Sequence, residues 1–167
     1  MAGFGLTRSI AACAIALGLA FASAAFANAQ ANPPEPGEIT LDALEPQELQ
    51  PGRCGLFLWS RDAQQTLVMV AYANPTEARV RTNGRNRYLR RIAFAKELVY
   101  GHFERQTFTD GRLTFDVEIV FDAERPLRGG AVVKSGVIRS RDGSRWESIT
   151  PVGGLIACQE PPGQPNR

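Results

Sequence analysis

Gly52-Arg-Cys-Gly-Leu-Phe-Leu-Trp59 and Pro151-Val-Gly-Gly-Leu-Ile-Ala-Cys158 bracket nearly everything foldable in this 167-residue chain. Each couples a cysteine to a glycine-marked apolar run of strand length. Between them lie short runs rich in Val, Ile, Phe and Thr, separated by turn signals at spacings of roughly ten residues. This pattern predicts an all-β domain, a single antiparallel barrel or sandwich of about eight strands.

Three cysteines are present, and Cys13 falls in a segment that reads as transient. Met1 to Arg8 carries one basic residue, Ile10 to Ala25 is apolar, and Ala27-Asn28-Ala29 is a small-residue cleavage pattern. That is the form of a secretory signal peptide spanning 1–29, cut before Gln30. The apolar run is shorter than the roughly 20 residues of a spanning helix. No apolar stretch precedes Cys13, which argues against lipidation there. Export to the periplasm or beyond leaves Cys54 and Cys158 as an even pair where disulfides persist. A bond between them would close the domain. Metal ligation and thiol nucleophilicity fit these two cysteines poorly, since no CxxC spacing occurs and His102 is the single histidine.

The remaining chain divides into three parts. Residues 30–51 form an acidic, Pro-rich lead-in of mostly flexible composition. Its apolar residues Ile39, Leu41, Leu44 and Leu49 are points at which it can lie on the domain. Residues 52–159 are the β domain, and 160–167 a polar tail expected to be disordered. Charge follows the same division: residues 35–48 hold five acids and no base, whereas 52–158 hold seventeen basic and eleven acidic residues.

Within the domain, Leu67 to Tyr72 is apolar on both faces, predicting a strand covered on both sides. Asn83-Gly84 suits a type I′ hairpin between 78–82 and 85–92. Leu113, Phe115, Val117, Ile119 and Phe121 alternate with polar residues, marking a half-buried strand. Pairing it with 98–108 through a two-residue Asp110-Gly111 loop sets Arg105 opposite Asp116 but puts Glu104 on the apolar face. Slipping by one sets Glu104 opposite Asp116. Either conflict calls for a bulge near Gly101 or a longer loop. Residues 122–130 read as the one sizeable internal loop, and 90–99 as strand and turn, with a helix the lesser option.

The chemistry that can be read is sparse. No Gly-x-Ser-x-Gly elbow or phosphate loop is present. His102, flanked by Tyr100, Phe103 and Glu104, reads as a strand residue rather than a general base. Neither cofactor nor metal is expected, and the domain reads as non-enzymatic. The one dense feature is basic: Arg79, Arg81, Arg85, Arg87, Arg90 and Arg91 fall within thirteen residues, with Tyr88 among them and no acid. Guanidinium groups on a twisted ribbon would meet phosphates or carboxylates bidentately. In an exported protein the partner would be an anionic envelope polymer, lipid headgroup or protein, not nucleic acid. The same charges also defend an edge hairpin against edge-to-edge pairing.

Pro51-Gly-Arg-Cys-Gly-Leu-Phe-Leu-Trp59 with Pro151-Val-Gly-Gly-Leu-Ile-Ala-Cys158 resembles the paired signatures of small secreted bacterial proteins of unknown function. That resemblance covers 51–159 and implies no activity. The layout of Cys54, Val68-Met-Val-Ala-Tyr-Ala-Asn74, Ala78-Arg-Val, Gly84, Leu89 and a final cysteine is similar to the periplasmic C-type lysozyme inhibitors. It implies a small eight-stranded barrel closed by a disulfide. The inhibitors' Ser-Ala-Ser-Gly loop and following Trp-x-x-Gly have no counterpart, so no inhibitory residues carry over. The sequence thus points to a binding or accessory protein of the cell envelope. Lysozyme inhibition, a ligand-binding barrel and an unrecognised enzyme stand as alternatives.

Overall fold

The structure, a computed structural model, describes residues 39–143, 147–161 and 163. The expected signal peptide, residues 30–38 of the lead-in and most of the tail lie outside the described residues. The described chain is all-β: β1 (Leu41–Asp42), β2 (Cys54–Ser60), β3 (Leu67–Tyr72), β4 (Glu77–Thr82), β5 (Arg85–Val99), β6 (His102–Thr109), β7 (Leu113–Leu127), β8 (Gly130–Asp142) and β9 (Glu147–Cys158). Strands β2 to β9 form a closed antiparallel barrel in the order β4-β3-β2-β9-β8-β7-β6-β5, with β5 returning to β4. β1 adds to β4, placing Leu41 opposite Thr82 and Asp42 opposite Arg81.

Closure depends on the two cysteine stretches. β2 and β9 run antiparallel with Cys54 opposite Cys158, Leu56 opposite Ile156 and Leu58 opposite Gly154. The Cys54 carbonyl bonds away from β9 to the Ala73 amide, and the Cys158 amide bonds to the Gly129 carbonyl on the other side. The pair is therefore a non-hydrogen-bonded one, where facing side chains approach most closely. A disulfide joins it. Gly154 permits the strands to meet, because a Cβ there would collide with the Phe57 carbonyl. At Gly153 the atoms nearest an added Cβ belong to the Arg61 guanidinium, with Nε at 2.9 Å.

Alternation sends Leu56, Leu58, Met69, Val80, Leu89, Phe108, Phe115, Val117, Ile138 and Ile156 into one buried cluster. The interior is packed with side chains. A bulge where Trp59 pairs with Leu67 puts Val68 and Met69 together in the core cluster. Val70 and Tyr72 are buried as well, outside that cluster. Their cover is the lead-in and β4. The Leu44 amide donates to the Leu67 carbonyl (2.7 Å), and Gln47 Oε1 accepts from Arg79 Nη1 (3.1 Å). Leu49 lies against Gly55, where a Cβ would come within 2.8 Å of its Cδ2. Described from Ile39 onward, the lead-in is an ordered outer strap.

Both barrel ends are covered. Ile39 is buried, and its carbonyl accepts from Ser148 Oγ on β9 (2.6 Å), while Thr40 bonds Asn83 in the β4–β5 turn. At the opposite end the β5–β6 turn has both Tyr100 (φ 47°) and Gly101 (φ 81°) in the left-handed region, as a type I′ turn requires. That turn packs against Ala73, and the adjoining His102 is wholly buried.

One local expectation, the loop at 122–130, needs correction, and two open choices are decided. Residues 90–99 are strand rather than helix, within the 15-residue β5, interrupted by bulges at 91–93 and 95–98. Residues 122–130 are not an open loop. β7 continues to Leu127 and pairs with β8 through Pro126 and Leu127, across an irregularity after Phe121. Proline is accommodated at such bulges because no ladder donor is needed there. The β6–β7 hairpin takes the longer loop: Thr109 faces Thr114, and Asp110 Oδ1 accepts the Arg112 and Leu113 amides. Arg105 then faces Glu118 in a 3.2 Å ion pair, which resolves the charge conflict.

Two expected outcomes test this closure. Urea unfolding of the Cys54→Ser/Cys158→Ser protein should show a loss of about 2–5 kcal/mol, because the bond closes a long loop between the terminal strands. Gly154→Ala should cost about 1–3 kcal/mol through forced overpacking. Gly153→Ala should cost less than that, since the flexible Arg61 side chain can move.

Candidate binding surface

The type I′ turn at Asn83-Gly84 fixes the register of the arginine hairpin, with Arg79 opposite Tyr88, Val80 opposite Arg87 and Arg81 opposite Asn86. Residues opposite one another share a face. Ala78, Val80 and Thr82 are buried in the barrel, so Arg87 and Arg91 lie on the interior side of β5 with Leu89. Arg79, Arg81, Tyr88 and Arg90 lie outside. The six arginines do not form one array.

Arg87 and Arg91 each have a local task. Arg87 donates from Nε to Thr82 Oγ1 (2.6 Å) and pairs through Nη1 with Asp110 (2.6 Å). Burial raises the Asp110 pKa, yet the Leu113 and Arg112 amides and Arg87 outweigh it and hold the carboxyl below the usual range. Arg91 donates from Nη1 to the Gly101 carbonyl (3.1 Å) and to Gln106 Oε1 (2.9 Å). Its guanidinium lies 5.1 Å from the Phe103 ring centroid and 5.5 Å from that of Phe94. Arg85, on the same side, is exposed at the turn. The Arg91 contacts tie β5 to the β5–β6 turn and to β6.

The outer set is a different arrangement. Arg79 sits between the rings of Tyr72 (5.6 Å) and Tyr88 (5.2 Å) and donates to Gln47. Arg81 is half-buried beside Asp42, whose carboxylate accepts the Gly84 amide (2.6 Å). Arg90 is exposed opposite Glu77, and Tyr88 is 65% exposed. The face therefore offers two accessible cations and an aromatic ring, with Arg79 clamped beneath. Among the described residues, the strap is held to this hairpin by hydrogen bonds rather than salt bridges.

His102 is fully buried, and neither ring nitrogen makes a well-formed hydrogen bond among the described residues. Burial, followed by the charge of Arg91, pushes its pKa down to about 4, with the Cys54 carbonyl opposing the shift weakly. The ring is thus neutral at neutral pH. No carboxylate or serine is bonded to it. Among the described residues, no three His, Cys, Asp or Glu side chains are grouped to hold a metal.

A second outer surface has no counterpart in the sequence reading. Phe57 and Trp59 alternate outward from β2 between the buried Leu56 and Leu58. Together with Leu67, Leu155, Leu44 and Pro46 they line an open apolar groove of about 450 Å³. Beyond Trp59 it adjoins a depression of about 620 Å³ lined by Ser60, Arg61, Gln65, Gly153 and Gly154. The Arg61 guanidinium lies along Gly153 and donates to the Lys134 carbonyl. Asp62 accepts from Ser60 Oγ (2.9 Å) and from the amides of Gln64 (2.9 Å) and Gln65 (3.0 Å), ordering the turn. The Ser60 bond leads in keeping the Asp62 pKa low. Outward aromatic alternation on β2 was the available signal, obscured because the apolar run reads equally as core.

No family model, curated protein or solved structure matches this chain.

His102 makes stability pH-dependent in a defined window. The unfolded state takes up the proton below about pH 6.5, whereas the folded ring takes it up only near pH 4. Stability is therefore complete above the upper value and declines as pH falls to the lower. Asp62 and Asp110, with lowered pKa values, act below that window. The His102 loss should reach at most about 3 kcal/mol, at 1.36 kcal/mol per pKa unit. Urea midpoints measured from pH 7 to 4 should fall for the parent protein and stay nearly flat for His102→Leu.

Proposed function

We propose that this protein is an exported, non-enzymatic binding or accessory protein of the cell envelope, acting through its outer surface on an anionic partner. The observation that carries the reading is the distribution of recognition chemistry. The barrel interior is occupied by side chains, both ends are covered, and His102 is sealed in the core. Accessible cations and rings lie outside, at Arg81, Tyr88 and Arg90. The Cys54–Cys158 disulfide is compatible with an oxidising compartment. A filled interior argues against the alternative of a ligand held inside the barrel.

The partner is an envelope polymer, lipid headgroup or protein bearing phosphate or carboxylate groups. Arg81 and Arg90 meet it on the outer face, Tyr88 supplies a ring between them, and the clamped Arg79 keeps Tyr88 in place. Arg87 and Arg91, committed to Asp110 and to Gln106, hold the scaffold.

Arg81→Glu/Arg90→Glu tests this with little risk to the core. Retention of the oxidised protein on envelope fractions at low salt should fall about tenfold, since exposed charge contacts each contribute about 0.2–1 kcal/mol. High salt should release the parent protein in the same way. Retention unchanged by both treatments would refute the proposal.

A further inference from the structure

The Trp59 groove has chemistry that the arginine face lacks. On one side of the indole the walls are apolar: Phe57, Leu67 and Leu155 from the barrel, Leu44 and Pro46 from the strap. On the other they are polar: Ser60, Arg61 and Gln65. Between them stands Gly153, opposite Trp59, and the Arg61 guanidinium lies over that glycine, beside the indole. A flat ring can lie on the indole with its edge at that guanidinium. The ring it suits has an apolar face for the indole and polar groups around its edge.

Charge narrows the class. Among the described residues lining the two depressions, Arg61 is the one charged side chain. Asp62, the nearest acid in sequence, turns its carboxylate to Ser60 Oγ and the turn amides. A carboxylate at the ring edge would receive charge-assisted hydrogen bonds from the guanidinium, whose fork matches that geometry. Arg61 is also held in place, lying along Gly153 with one bond to the Lys134 carbonyl. Preorganisation of this kind lowers the cost of binding.

We propose that the groove around Trp59 is a binding site for a carboxylate-bearing sugar chain, with one pyranose ring on the indole and its carboxylate at Arg61. The apolar half of the groove takes the next ring along the chain. The site is separate from the Arg81–Arg90 face: the strap lies between them, Gln47 lining the groove while accepting a hydrogen bond from Arg79.

The chain has two tryptophans, so Trp146→Phe leaves Trp59 as the sole indole reporter. Titrating this oxidised protein with trigalacturonate should change Trp59 emission with a Kd of about 1 mM or tighter. Maltotriose, which has the rings without the carboxylates, should bind about tenfold more weakly. Triglutamate, which has the carboxylates without the rings, should leave the emission unchanged. Arg61→Gln, at an exposed position, should reduce trigalacturonate binding to the maltotriose level without moving the urea midpoint. Triglutamate binding as tightly as trigalacturonate would overturn the site, as would an emission unresponsive to either sugar. Equal affinity for the two sugars, or no effect of Arg61→Gln, would overturn the carboxylate assignment. Arg81→Glu/Arg90→Glu should leave the titration unaltered, so failure here is distinguishable from failure of the anionic face.

Discussion

Pairing of the first barrel strand with the last is the contact on which the molecule depends. β2 and β9 are separated by nearly the whole domain in sequence, and closing so large a loop is entropically costly. Three features offset that cost at one seam. The disulfide joins Cys54 to Cys158, the Leu56–Ile156 pair is buried in the interior, and Gly154 lets the backbones approach. Closure removes the two edges that an open sheet would expose. It also creates the outer ridge on which Trp59 stands opposite Gly153, with the Arg61 guanidinium over that glycine, so the seam that holds the fold also shapes the groove.

The lead-in is the second organising element. Its composition is that of a flexible segment, yet from Ile39 onward its leucines and isoleucine each find a place: Ile39 at a barrel end, Leu41 on the core, Leu44 at β3 and Leu49 over Gly55. The strap explains why β3 is apolar on both faces. It also divides the outer surface, leaving the arginine hairpin on one side and the aromatic groove on the other. Surface chemistry is thus partitioned by a segment whose own sequence has few apolar residues.

Much of the architecture was legible because strand signals are local. The period-two pattern of Leu113 to Phe121, the Asn83-Gly84 turn and the cysteine pair led directly to an antiparallel, disulfide-closed β domain. The misread segment is 122–130, where 122–125 stand opposite a shorter stretch of β8, and the helix option left open at 90–99 fell where two bulges break the period. A bulge shifts which face a side chain takes without leaving a clear compositional mark. The six arginines were a different case. Their separation into inner and outer sets follows from the register of the Asn83-Gly84 turn, so it was readable, but density in sequence masked it.

The sequence by itself determined the strand count, the turn at Asn83-Gly84, the pairing of Cys54 with Cys158 and the poverty of catalytic side chains. These rest on backbone preference and residue chemistry, which act over a few neighbours. Tertiary structure decided that the sheet closes into a barrel, that His102 is buried beside Arg91, and that Arg87 and Arg91 serve the scaffold while Arg81 and Arg90 face outward. It also decided that Trp59 stands opposite Gly153 in a groove walled by the strap. Those outcomes depend on which distant strand lies opposite, and that choice is set by the free energy of the whole closed core.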